Sequence, residues 1–167
     1  MNSTQTTPPL LDEASATFIQ HHVSINVAAR DAQNLPAAAR ALGCRVSEDR
    51  RSVTDFLAPE RDAAVLKNLR DNGAIAMVVS RPSTHETLQL KGTVTNIERI
   101  SRSDHKMMVA YLNSFMEELA GLGYKPDLVR SLDPEVRENC LAVTFEPSSA
   151  FVQTPGPQAG QRLEPRT

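Results

Sequence analysis

Tryptophan is absent from this chain, and aromatic residues make up only 4% of it. A base-stacking platform for nucleic acid depends on aromatic rings, so that class of binder is a poor fit. No block of one charge is present either. The 18 basic and 20 acidic residues are dispersed and leave a formal net charge of −2. A nucleic-acid binder concentrates cations on one face, and nothing in the order of these residues does so. The longest strongly apolar run, residues 74–79, is far too short to span a bilayer. The first nine residues have neither a basic head nor an apolar core, so they do not read as a signal peptide. Cysteine occurs only at Cys44 and Cys140, far apart and without companions at metal-ligand spacing. Two thiols in a chain with no export signal fit a reducing cytoplasm. There is no Gly-x-Ser-x-Gly turn, no P-loop and no Gly-rich dinucleotide fingerprint, and no catalytic residue can be assigned.

What is present is alternation. Val23, Ile25 and Val27 fall on one side of an extended segment and Ser24, Asn26 and Ala28 on the other. Similar stretches cover residues 21–30, 35–46, 52–57, 74–80 and 87–97, each set off by turn residues such as Asp31, Asn34 and Pro82. Residues 74–80 are apolar on both faces, which predicts a strand covered on both sides. Leu141, Val143 and Phe145 alternate against Ala142, Thr144 and Glu146 in a last strand.

Helices are expected between them. Residues 10–20 form a short one with Asp12 as N-cap, Glu13 in the first turn, and Leu11, Phe18 and Ile19 as its stripe. A second opens near Pro59 and stops at Asn72-Gly73. The strongest is capped by Ser103 or Asp104 and carries Met108, Leu112, Phe115, Leu119 and Leu122 on one face, with Met107 and Met116 assigned to the same packing group. A further short helix is signalled by Asp133-Pro134-Glu135. The expected architecture is α+β and mainly β: a closed antiparallel barrel flanked by helices. Residues 1–9 are expected to be disordered, 10–153 to form one domain, and 154–167 to be a Pro/Gly-rich tail anchored by Phe151 and Val152.

In its order of elements the chain resembles the flavin-binding split-barrel proteins related to pyridoxamine 5′-phosphate oxidase. The resemblance rests on Leu35-Pro36-Ala37-Ala38-Ala39-Arg40, on residues 65–72, and on Leu88-Gln89-Leu90-Lys91-Gly92-Thr93-Val94, within residues 10–152. It implies a split β-barrel that forms a homodimer, with FMN in a groove between subunits and an oxidoreductase activity on a small molecule. By the same resemblance Arg40 and Arg61 hold phosphate, the backbone at Asp55 and Leu57 meets the isoalloxazine ring, and Thr87, Gln89 and Lys91 line the ring side. The chain departs from the family pattern at Glu60-Arg61-Asp62-Ala63-Ala64, where a Ser-Arg-Lys-like stretch is expected and two acids flank the only base.

Each candidate also has a plainer reading. Arg40 reads equally as a base snorkelling from a strand edge to water. Gln89 and Lys91 read as a solvated strand face. His21, His22, His85 and His105 lack zinc-site spacing, and the adjacent pair points to opposite faces of a strand, so no metal is assigned. The alternative to an FMN enzyme is a non-catalytic split-barrel binding module for another small ligand, or for haem with a histidine as axial ligand.

Overall fold

In the computed structural model, residues 8–125, 127 and 138–165 are described. The helix expected at Asp133, and residues 1–7 of the N-terminus, lie outside them.

The first helix, α1 (Glu13–Phe18), is shorter than expected, but Asp12 caps it by accepting the Ser15 N–H at 2.8 Å. Leu11, Phe18 and Ile19 are all buried. The strands β1 (Ser24–Arg30) and β2 (Pro36–Arg40) then form an antiparallel hairpin. Ile25 and Val27 are fully buried while Ser24, Asn26 and Ala28 are not, as the alternation requires.

One correction follows directly. Residues 35–46 are not one strand but two, β2 and β3 (Cys44–Val46), interrupted at Ala41, Leu42 and Gly43. The Ala41 N–H donates to Ile25 O on β1, while the next N–H, that of Leu42, donates to Phe56 O on β4 (Val53–Leu57). Gly43 takes φ +126, and a Cβ there would sit 3.2 Å from Tyr111. A left-handed backbone under a ring is a place for glycine. With β5 (Ala74–Ser80), β6 (Thr87–Arg99) and β7 (Leu141–Val152), the sheet order is β2-β1-β5-β6-β7-β4-β3, all antiparallel. Its two ends, β2 and β3, are therefore joined by three residues. A seven-stranded sheet can satisfy that only by curling until its edges meet, which is barrel closure.

The strands β6 and β7 are longer than expected. Ile75, Met77 and Val79 are buried, but Ala74, Ala76, Val78 and Ser80 are only half-buried, so one face of β5 is not covered. The helix α2 (Ala63–Asn72) adds Val65, Leu66 and Leu69 to the barrel core. Beyond β7 the chain turns back on itself, and Leu163 N–H donates to Ala150 O.

The helix α3 (Arg102–Gly121) is capped by Ser101, not Ser103 or Asp104. Asp104 is the third helical residue of a capping box: its N–H donates to the Ser101 hydroxyl, and its carboxylate accepts the Ser101 N–H. Met108, Tyr111 and Phe115 are buried, whereas Met107 is exposed and so leaves the packing group, and Leu122 lies past the helix end and is exposed. Met108 packs with Leu42, Phe56 and Ala142 in a second cluster outside the barrel. Arg45 pairs with Asp104 at 2.9 Å and ties β3 to this helix start. Replacing Ser101 with Ala removes the half of the box that its hydroxyl makes and leaves the backbone N–H at 101 to donate to Asp104. The expected cost is about 1 kcal/mol, read as a lower urea midpoint at unchanged slope.

Candidate functional site

The register of the sheet decides which side chains share its uncovered face. Arg40 lies opposite Asn26, Asn26 opposite Val78, Val78 opposite Gln89, and Gln89 opposite Phe151. These five residues, from β2, β1, β5, β6 and β7, form a single row across five strands. A second row runs beside it: Ala38, Ala28, Ala76, Lys91 and Ser149. Directly opposed residues of antiparallel strands point to the same side, and here that side is away from the buried Ile25, Val27, Met77, Leu88 and Leu90. The face thus offers Asn26, Ala28, Ala76 and Val78 between Arg40 on β2 and the pair Gln89 and Lys91 on β6, with Ser149 and Phe151 beyond them.

Local contacts hold these side chains. The Arg40 guanidinium lies 4.6 Å over the Phe115 ring of α3, its Nε is buried and makes no hydrogen bond, and its carbonyl accepts a hydrogen bond from Arg61 Nη2. Lys91 sits 5.4 Å from the Phe151 ring centroid. Gln89 Oε1 accepts from Gln153 Nε2 at 3.4 Å. The Thr87 hydroxyl lies 2.9 Å from that of Ser80 and donates to His85 O. The structure therefore brings Arg40 to Arg61 at one corner and sets Gln89 and Lys91 on the same face as Arg40.

Asp55 and Leu57 are placed elsewhere. Both side chains are fully buried, on the interior side of β4 with Val53. Their main chains lie in the ladders with β3 and β7, where Asp55 faces Cys44 and Val143 and Leu57 faces Leu141. Neither carboxyl oxygen of Asp55 has a hydrogen-bond partner, and burial raises its pKa to about 8. The Cys44 thiol, which donates to Ile19 O, is likewise pushed well up by burial and then by Asp55. Both cysteines are buried and neither forms a disulfide.

Arg61 is held differently from what a phosphate ligand would need. Its Nε and Nη2 grip the two carboxylate oxygens of Asp62 at 2.6 and 2.7 Å. The Asp62 carboxylate is almost wholly buried and also accepts the Ala58 N–H. In the sequence Asp62 shows only as one of two acids flanking Arg61, and Asn26 and Phe115 are not among the candidate site residues. Asn26 stands out as the one amide in the apolar-alternating segment from Val23 to Ala29, while the Phe115 contact had no local signal.

Four surface clefts, among them one of about 520 Å³ lined by Arg99, Arg102, His105, Lys106 and Glu138, contain none of these residues. Among the described residues no three of His, Cys, Asp and Glu are grouped to hold a metal ion. No helix among them is long and apolar enough to cross a membrane.

No family model matches the sequence, and no curated protein does. Solved structures match the backbone. An F420 reductase superposes with a TM-score of 0.54 at 13% identity, covering 84% of this chain and 98% of that one. HupZ of Group A Streptococcus gives 0.52 at 16% identity, covering 90% and 99%. A pyridoxamine 5′-phosphate oxidase-like protein of Lactobacillus delbrueckii gives 0.53 at 13%, again covering 90% and 99%. At such identities the likeness is one of fold, and the chain is a split-barrel protein with the architecture of the pyridoxamine 5′-phosphate oxidase-like proteins.

Proposed function

We propose that the chain is a cytoplasmic, homodimeric FMN-binding oxidoreductase that acts on a small molecule at the uncovered face of the barrel. The observation that carries this reading is the row from Arg40 to Phe151, flanked by Lys91. It sets a weakly polar surface between the Arg40 guanidinium and the Lys91 ammonium group. A planar heteroaromatic ring with a charged tail suits such a surface. The half-buried Ala76 and Val78 on the same face support a second subunit that would complete the groove. That a reductase and an oxidase-like protein share the fold gives further support.

The residues fit FMN in part. The buried Nε of Arg40 lacks an acceptor, and a phosphate oxygen would supply one. Arg61 does not fit in the same way, because Asp62 already occupies it. Gln89 and Thr87 would orient the ring side, and Lys91 would favour negative charge there. When bound, the flavin supplies hydride or electron transfer, and the protein supplies position and electrostatics.

The purified chain is expected to be yellow, or to develop flavin absorbance on addition of FMN, with the flavin recovered on denaturation. A colourless preparation that ignores FMN overturns the proposal. The occupied Arg61 favours a second reading, a non-catalytic module for another small ligand or haem, and a Soret band on haem addition would support it.

A further inference from the structure

Asp62 is an aspartate beside an arginine at the start of a helix, and its geometry says more than a stray surface pair would. Both carboxylate oxygens are used by Arg61 in the forked arrangement that guanidinium groups otherwise give to phosphate. One of the same oxygens accepts the Ala58 N–H at 2.9 Å. The carboxylate side chain is only 2% exposed, while that of Arg61 is 34% exposed. Asp62 does not spend its carboxylate on capping α2. Arg61 also reaches across to the backbone carbonyl of Arg40, whose own guanidinium lies over the Phe115 ring.

We propose that Asp62 is a built-in substitute for a ligand phosphate, and that it makes the site read the ring of its ligand rather than a phosphate tail. With Asp62 in place only Arg40 can answer an incoming phosphate, and the buried carboxylate repels it. An asparagine keeps the size and one acceptor for Ala58 but removes the charge. It takes away the negative charge beside Arg61 that repels an outside anion, while Arg61 keeps its bond to Arg40 O. This deepens the flavin reading and rests on it for the identity of the ligand, though not for the behaviour of the corner.

The experiment compares Asp62→Asn with the wild-type chain, after confirming equal secondary structure by circular dichroism. Asp62→Ser serves as a second variant if the asparagine chain does not fold. FMN and riboflavin are titrated by fluorescence quenching, and inorganic pyrophosphate by calorimetry. The expected result is a tightening of at least tenfold for FMN, a change under twofold for riboflavin, and pyrophosphate binding that the wild type lacks. The gain should vanish in the Asp62→Asn, Arg61→Ala double variant. If neither flavin binds either chain but pyrophosphate binds the variant, the role of Asp62 stands and the flavin reading falls. If flavins bind and the variant leaves FMN affinity within twofold, or shifts both flavins equally, the role of Asp62 is overturned and the flavin reading stands. A variant that binds no flavin and no pyrophosphate overturns it as well.

Discussion

Replacing Asp55 with Asn is expected to stabilise the protein at pH 8 by several kcal/mol and to flatten its stability between pH 4 and 8. The side chain is fully buried between Val53 and Leu57, and neither oxygen has a hydrogen-bond partner. The titratable group facing it across the ladder is the Cys44 thiol, itself neutral at these pH values because burial pushes it up. Burial holds the folded carboxyl protonated up to about pH 8, against 3.8 for the ordinary group. Below pH 3.8 both folded and unfolded chains carry this proton, and the full stability is present. Between 3.8 and about 8 only the folded chain holds it, so every unit of rising pH favours unfolding by about 1.4 kcal/mol. Above about 8 both have lost it, and the accumulated loss is of the order of 6 kcal/mol. Asparagine is close in shape to the protonated acid and leaves a similar unpaired polar group, so the comparison isolates ionisation. The measurement is urea unfolding of both chains at half-unit intervals from pH 4 to 8. Parallel curves for the two would show that Asp55 is ionised and satisfied in the fold, contrary to this account.

Asp55 also marks the limit of what could be read without coordinates. Its neighbours alternate as a strand, and the strand is there, but the sequence gives no sign that the polar residue of Val53-Thr54-Asp55-Phe56-Leu57 points inward. All five residues are buried, because β7 and β3 flank the strand and Met108 of α3 packs with its Phe56. Period-two reasoning assumes one wet face, and a strand covered on both sides removes that reference. The opposite holds at residues 74–80, where apolar character on both faces predicts double coverage. The second face is only half-buried, which fits a surface meant for a partner or a ligand. The break at Ala41-Leu42-Gly43 was legible in principle. Ala41-Leu42-Gly43-Cys44 carries no polar side chain to alternate, and that lapse is where the barrel closes. Arg40 and Arg61 are legible as bases in the sequence, but the bond from Arg61 to the Arg40 main-chain carbonyl and the fork between Arg61 and Asp62 depend on geometry that spacing cannot specify.

Gly92 carries the second large effect. Its replacement by Ala is expected to destabilise the protein by more than about 3 kcal/mol, or to prevent folding. The residue sits where β6 shifts register against β7: Lys91 faces Ser149, Gly92 faces Pro147, and Ser148 is left to donate its hydroxyl to Lys91 O. Such a bulge bends the strand, and the proline, which has no N–H to offer the ladder, is tolerated at it. A Cβ on Gly92 would lie 2.2 Å from Glu146 O, 2.9 Å from Glu146 C and 3.0 Å from a ring carbon of Phe145. The first two are backbone atoms and cannot rotate away, so the strands themselves must separate. Phe145 is fully buried in the barrel core, so the displacement reaches the interior. Gly121 provides the control: it ends α3 with open space around it, and alanine there should be neutral to stabilising by up to about 1 kcal/mol. Urea midpoints of the two variants against the parent chain test both signs together. Equal midpoints for Gly92→Ala and the parent would mean that β6 and β7 do not approach as closely as the bulge requires, and the register shift between Lys91 and Gly92 would need another cause.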